Sequence, residues 1–432
     1  KTRVVTHRIA HLIKNKGVYP GSILAITFTN KAAREMKERV EALIGQAAND
    51  IWISTFHSAC VRILRRDIEK IGYDRNFVIF DTSDQQVVIK DCLKELRLNE
   101  KNYPPTNVLS TIGRAKDELI DPETFARRNQ ADFRLTKIAE IYKLYQQKLK
   151  QNNALDFDDI IMCTIKLFEE NEAVLEYYQK KFKYIHVDEY QDTNKAQFVL
   201  VSQLARLHRN LCVVGDDDQS IYMFRGADIT NILDFEKEFR GAKVIKLEQN
   251  YRSTKTILAA ANSVIKNNLG RKSKALWTNN DTGCKIKCFE GDNEHEEALY
   301  VAREIRRIVE NENKNYKDFA VLYRMNAQSR VLEERFMREG IPYRIFGGLR
   351  FYDRKEIKDV IAYLRLIQNP SDSYAFKRII NVPKRGIGNA TIEIIESLAT
   401  NHGCSMYDII ASAERYPELQ RTAAKLKKFH TL

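Results

Sequence analysis

The run Asp188-Glu189-Tyr190-Gln191-Asp192 follows a short apolar stretch, Tyr184-Ile185-His186-Val187. A strand that empties into adjacent carboxylates can offer one to a hydrated magnesium ion and the next to a water molecule attacking a phosphoryl group. Neighbouring side chains on a strand point to opposite faces, but where the strand ends the chain can turn both acids into one crevice. Asp188 is then the candidate metal ligand and Glu189 the candidate proton acceptor. Acid pairs also end strands simply as solvated carboxylates, so other residues must decide.

Three further clusters bear on that choice. The chain opens Lys1-Thr2-Arg3-Val4 ahead of a helix-like Val5, Ile9, Leu12 pattern. Lys-Thr before a helix matches the last two positions of a phosphate-binding loop, with Lys1 facing the β and γ phosphates and Thr2 on magnesium opposite Asp188. The glycines of such a loop are missing, so the segment is expected to be cut from a longer chain. Leu211 to Val214 runs into Gly215-Asp216-Asp217-Asp218-Gln219-Ser220-Ile221-Tyr222-Met223-Phe224-Arg225-Gly226. There Gln219 can sense a terminal phosphate while Tyr222, Phe224 and Arg225 stack on unpaired bases; the alternative is an acidic loop before core-packing aromatics. Gln249-Asn250-Tyr251-Arg252-Ser253-Thr254 adds an aromatic face for a purine, Tyr251, and a candidate arginine finger, Arg252, a role worth about 10³ to 10⁵ in rate.

These clusters need strands to end where they stand. Ile23–Phe28, Ile51–Phe56, Tyr184–Val187, Leu211–Val214 and Val244–Leu247 are continuous apolar runs separated by helical patterns, which predicts a parallel α/β sheet. A helix is predicted over about Lys31 to Leu43, capped by Asn30 or Thr29 and stopped by Gly45. From about 79 to 170 the pattern is helix after helix, including Phe133 to Leu149, with Pro104-Pro105 as a loop. A second α/β pattern offers Lys285–Phe289, Phe319–Tyr323 and Pro342–Phe346 as strands, and from about Phe351 the chain reads as helical again.

Composition narrows the class. A net charge of +13 points to a polyanionic partner, with nucleic acid first. No apolar stretch approaches the roughly 18 to 20 residues of a bilayer span, so no membrane role is expected. Seven scattered cysteines suggest reduced thiols and a cytoplasmic setting. Cys284 and Cys288 lack the second pair that a structural zinc site requires.

Together these residues resemble the UvrD/Rep/PcrA-type superfamily 1 DNA helicases of bacteria, with the PcrA branch nearest. The resemblance is carried in order by Leu24 to Ala33, Ser54-Thr55-Phe56-His57-Ser58, Leu155-Asp156-Phe157-Asp158-Asp159, Asp188 to Asp192, Gly215 to Ala227 and Gln249 to Thr254. It continues through Leu322 to Arg330, Phe351 to Ile357 and Asn381 to Gly388.

The resemblance implies two RecA-like parallel-sheet P-loop NTPase domains, each with an α-helical inserted subdomain. The first domain (1A) is expected at 1–78 and 171–253 with its insertion (1B) at 79–170; the second (2A) at 254–351 with its insertion (2B) at 352–432. It implies ATP and Mg2+ as cofactors, with nucleotide contacts from Lys1, Thr2, Arg3, Asp188, Glu189, Gln219, Tyr251 and Arg252. It further implies that single-stranded DNA touches Phe28, Phe56, His57, Tyr222, Phe224, Arg225, Arg324 and Asn326, with 3′ to 5′ movement and unwinding at duplex junctions.

Lys384, Arg385, Gly386 and Gly388 add a reading of their own: glycines before a helix, beside two cations, suit a duplex phosphate backbone, or else form a plain helix-connecting turn. The chain departs from the family at Met223-Phe224, usually Arg-Trp, and at Met325, usually Thr; phenylalanine stacks with less surface. Repair or replication proteins are the expected partners. The segment lacks the phosphate-loop glycines and the later motifs, so alone it is expected to hydrolyse ATP poorly. Two other readings stay open: the motor part of a helicase-nuclease recombination complex, and a DNA-binding fragment without turnover.

Overall fold

The computed structural model describes residues 1–268, 274–346 and 355–431. They divide into two compact units, one of residues 1–247 with 358–431, the other of 248–268 and 274–346 with 355–357.

The first unit is built on six strands: β1 (Ile23–Thr27), β2 (Trp52–Thr55), β3 (Val78–Ile79), β4 (Ala154–Leu155), β5 (Tyr184–Val187) and β6 (Leu211–Val213). β1, β2, β5 and β6 form one parallel sheet in the order β2-β1-β5-β6. The helices among and just after these strands are α1 (Thr2–Lys16), α2 (Asn30–Ile44), α3 (Phe56–Asp67), α4 (Thr82–Glu95), α5 (Pro105–Asp117), α6 (Pro122–Arg128), α7 (Phe133–Gln151), α8 (Phe157–Glu170), α9 (Glu172–Lys181) and α10 (Lys195–Ala205).

All five residues of β1 are buried because the sheet is covered on both faces. Ile23 and Ala25 pack with Val5, Ile9, Met36 and Val40 of α1 and α2. Leu24 and Ile26 point the other way, into a core with Phe56, Ile63, Ile160, Leu167 and Leu200 from α3, α8 and α10. The period of two along β1 thus serves two cores at once. Thr29 caps α2, its hydroxyl accepting from the Ala32 amide at 3.1 Å, and Gly45 follows the last turn at φ 68°, a left-handed value that glycine takes without strain.

The helical insertion follows β2 and α3. Its ends are tied by β3 and β4, a short parallel pair (Val78 with Ala154, Ile79 with Leu155) not foreseen from the sequence. Its own core gathers Val88, Leu93, Ile112, Ile138, Tyr142, Tyr145 and Leu149. Pro104-Pro105 does not merely mark a loop: Pro105 opens α5, where a missing N–H goes unneeded. Residues 358–431 form a third helical core around Leu366, Phe376, Ile379, Ile395, Ile410 and Leu426. They join the insertion through Arg365, which bridges Asp84 at 2.7 Å and Asp372 at 2.8 Å, and through Asn369, which donates to the Asn152 carbonyl.

The second unit corrects one expectation. Among the described residues 285–289, 319–323 and 342–346 form no ladder, and neither does 244–247 of the first unit; a single isolated bridge joins Gln249 to Trp277 among those of the second unit. Alternating apolar residues favour extended backbone, and Phe319 is extended (φ −105°, ψ 146°), but a strand also needs a hydrogen-bonded neighbour, and Leu322 is 94% exposed. Its core is instead helical, with Ala302 and Ile305 of the helix Glu294–Asn311 against Phe336 of the helix Ser329–Arg338 and Ile341. The motif residues 351–354 lie outside the described residues.

Candidate active site

Four of the first-unit clusters follow the carboxyl ends of parallel strands, where doubly wound sheets place ligands. β1 ends at Phe28, β2 at Phe56 and His57, β5 at Asp188 and Glu189, and β6 leads to Gln219. Lys1 and Thr2 stand at the N-terminus of α1, which favours anions.

The structure brings five of the predicted nucleotide residues together. Lys1 Nζ lies 2.6 Å from Glu189 Oε2 and 3.5 Å from Gln219 Oε1, and Thr2 Oγ1 donates to Asp188 Oδ2 at 2.7 Å. Burial holds the Asp188 carboxyl above its ordinary range, against the pull of the Thr2 hydroxyl. Glu189 has φ 51° and ψ 43°, a left-handed conformation costing a non-glycine residue on the order of 1 kcal/mol, and such strain gathers at functional sites. The strain turns the Glu189 side chain from the strand toward Lys1. A hydroxyl and a carboxylate 2.7 Å apart are hard oxygen donors of the kind that hold Mg2+, so Thr2 and Asp188 fit the expected ion. Arg3 is exposed on the first turn of α1.

Sequence reasoning left out the residue that joins these groups. Gln191 donates to Glu189 Oε2 at 3.0 Å, while its own Oε1 accepts from the Asp216 amide at 2.8 Å. Asp216 in turn accepts from Gln219 Nε2 at 2.6 Å. Glu189 and Gln219, the expected proton acceptor and phosphate sensor, are therefore linked through Gln191 and Asp216. Asp192 beside them is pushed up to about 6 by burial and by the Glu189 charge.

The predicted DNA contacts form two groups on this unit. Phe28 meets Phe56 edge to face with centroids 5.6 Å apart, and His57 meets Phe157 at 5.9 Å. Phe56 is 2% exposed, so it supports Phe28 and offers no face to a base. Burial lowers the His57 pKa from its ordinary value. In the second group Tyr222 and Phe224 lie 6.0 Å apart with the Arg225 guanidinium over both rings, and Phe224 is 73% exposed. A cavity of about 160 Å³ lies between the groups, lined by His57, Lys116, Asp117, Asp158, Asn194 and Arg225 among others.

Beneath it is a buried network that sequence reasoning also missed. Lys116 Nζ reaches Asp156 at 2.6 Å and Asp159 at 2.8 Å, and the Tyr145 hydroxyl donates to Asp156 at 2.8 Å. Burial works against every charge here, yet the Lys116 ammonium outweighs it and holds Asp156 below the usual carboxylate range. Asp159 is pushed up to about 6 and Asp158 to about 8, by burial first and then by the charge of Asp156. The signal for part of this was present: Asp156 and Asp159 stand three apart before an apolar run and form a capping box on α8.

The remaining predicted residues stand elsewhere. Tyr251 and Arg252 belong to the second unit, where Tyr251 is 78% exposed and Asn250 Oδ1 accepts from the Arg252 amide at 2.9 Å. Arg324 and Asn326 are exposed just before the helix Ser329–Arg338. Lys384, Gly386 and Gly388 are exposed, but Arg385 turns inward. It donates to the carbonyls of Ile379, Ile380 and Val382 and to the Tyr363 hydroxyl, and it stacks on Phe429. In this arrangement Arg385 shapes the turn and Lys384 is the cation left facing outward.

In this parallel α/β protein a lysine and a threonine at the start of α1 stand with two acids and a glutamine that follow strand ends. Residues 1–240 match the UvrD/REP helicase N-terminal domain and residues 245–428 the UvrD-like helicase C-terminal domain, and the chain belongs to this helicase family. It is 56% identical over 432 residues to the ATP-dependent DNA helicase PcrA of Bacillus subtilis (strain 168), covering all of this chain and 58% of that protein. It is 56% identical to PcrA of Staphylococcus aureus (strain Mu50) and 57% to PcrA of Staphylococcus epidermidis, each over 414 residues, 96% of this chain and 56% of the relative. The chain thus spans less than three fifths of the length of these relatives. No helix among the described residues is long and apolar enough to cross a membrane, and all seven cysteines are free.

Proposed function

We propose that the protein carrying this chain is an ATP-dependent DNA helicase that moves 3′ to 5′ along single-stranded DNA, separates duplex at junctions, and serves DNA repair or replication in the bacterial cytoplasm. The observation that carries the reading is the bonded path Lys1–Glu189–Gln191–Asp216–Gln219, which ends three residues before the aromatic turn at Tyr222. One short segment then faces both a phosphate and a base.

In this reading Lys1 leaves Glu189 for the β and γ phosphates, and the freed Glu189 carboxylate takes a proton from the attacking water. Thr2 and Asp188 hold Mg2+, which offsets phosphate charge when bound. Gln219 reports the terminal phosphate, with Tyr251 as a further stacking face and Arg252 as a further cation. Tyr222, Phe224, Phe28 and Arg225 receive bases, with His57 beside them. The fold assigned is two RecA-like domains with helical insertions, at the boundaries 1–78 with 171–253, 79–170, 254–351 and 352–432. Separating a base-pair step costs about 1.4 kcal/mol in stacking, and an aromatic contact returns about 1 to 3 kcal/mol per base, enough to hold each step gained.

The test is ATP hydrolysis by the full-length protein with and without single-stranded DNA, beside Glu189→Gln. Strong stimulation abolished by the substitution supports the motor; an intact protein indifferent to DNA rejects it.

A further inference from the structure

The turn carrying Tyr222, Phe224 and Arg225 is closed on itself: the amides of Arg225 and Ala227 both donate to the Tyr222 carbonyl. It rests on a residue from outside its own domain segment. Gly226 takes φ 81°, and a Cβ there would collide with the Asp117 carboxyl, 2.9 Å from its Cγ. Asp117 ends α5 of the helical insertion, where the helix dipole disfavours an anion, and burial pushes its carboxyl up to about 6. An acid kept in such a place needs a reason. Its partner supplies one: the Asn194 carboxamide donates to Asp117 Oδ1.

Asn194 lies five residues after Glu189, caps α10, and is stitched to the chain leaving the turn. The Asp228 amide donates to the Thr193 carbonyl at 2.9 Å, and Asn231 Nδ2 donates to the Thr193 and Asn194 carbonyls. We propose that Asp117 is a positioning residue: through Asn194 and Gly226 the helical insertion fixes the aromatic turn to the segment that carries Glu189, so that a base on Tyr222 or Phe224 is felt at the phosphate end. This rests on the ATPase reading above and adds to it a coupling element outside the nucleotide and DNA contacts.

The experiment is ATP hydrolysis by the full-length protein, basal and with a poly-dT oligonucleotide, together with thermal melting. Asp117→Ala is expected to lower DNA stimulation about tenfold, a usual size for coupling between sites, with basal hydrolysis within about twofold because Asp117 touches none of the phosphate-facing residues. Asn194→Asp keeps a good helix cap but sets two carboxylates face to face, so it behaves like Asp117→Ala. The swap D117N/N194D exchanges amide and carboxylate across the same bond and restores stimulation. Undiminished stimulation in Asp117→Ala overturns the inference alone. So does a swap that fails to restore stimulation while basal rate and melting fall together, which marks a residue needed only for folding. A wild-type protein that DNA does not stimulate overturns the ATPase reading and this inference with it.

Discussion

Two lysine–carboxylate pairs in the first unit have the same length and opposite surroundings. Lys1 and Glu189 are 2.6 Å apart with 21% and 34% of their side chains exposed; Lys116 and Asp156 are also 2.6 Å apart with 0% and 4% exposed. The first pair stands at a strand end beside a strained backbone, and among the described residues its side chains bond to one another and to two glutamines. The second is sealed, and its charges are satisfied from several sides by Asp159, Tyr145 and the Asp159 amide. Distance does not separate them; burial and the number of partners do. A solvent-reachable pair can exchange its partner for a phosphate at little cost, whereas a sealed one cannot open without leaving a buried charge alone.

The largest expected effect breaks the open pair. Glu189→Gln should lower DNA-stimulated turnover by about 10² to 10⁴, the usual share of a general base, while thermal melting stays within about 1 kcal/mol, the ordinary worth of an exposed ion pair. A melt destabilised by several kcal/mol would show that this pair is structural too. Next, Lys116→Met strands Asp156 and Asp159 in the core, and urea unfolding of the full-length protein should register a loss of about 3 to 5 kcal/mol. If that loss stays under about 1 kcal/mol, the two pairs are alike and the contrast fails.

The same contrast marks what the sequence could reveal. Strands β1, β2, β5 and β6 were legible because each is a continuous apolar run between helical patterns, with β1 buried along its whole length, and the Asn30 or Thr29 cap and the helical insertion were legible by local pattern. Glu189 and Lys1 were each legible as candidate site residues, because one ends a strand and the other precedes a helix, but not as partners of one another. Lys116 was not, since its partners lie 40 and 43 positions away and nothing local distinguishes it from a solvated lysine. Arg385 misled for a related reason: cations beside glycines suggest a phosphate site, while the structure spends the guanidinium on four backbone carbonyls and a tyrosine. The runs at 285–289, 319–323 and 342–346 predicted strands that form no ladder among the described residues, because pairing is what no single run can specify.

A smaller effect tests the exposed aromatics lying beyond both pairs. Phe224→Ala removes one stacking face and should weaken single-stranded DNA binding by about 1 to 3 kcal/mol, measured by fluorescence anisotropy at fixed salt, with ATP affinity unchanged. Equal weakening of both ligands would place Phe224 in the scaffold.

The smallest concerns protonation at the rim of the sealed pair. Asp158 is raised to about 8 by burial and by the Asp156 charge, so the folded protein keeps a proton that the unfolded chain releases near pH 4. A raised folded value means that the stabilising contribution is full below about pH 4 and disappears as the pH climbs through about 8. Stability should therefore decline toward alkaline pH, by at most about 1.4 kcal/mol per pH unit for this one proton, and Asp158→Asn should flatten that decline. A melting profile between pH 6 and 8.5 that Asp158→Asn leaves unaltered would mean that water reaches this carboxylate as well, and the seal around Lys116 would then end at Asp156 and Asp159.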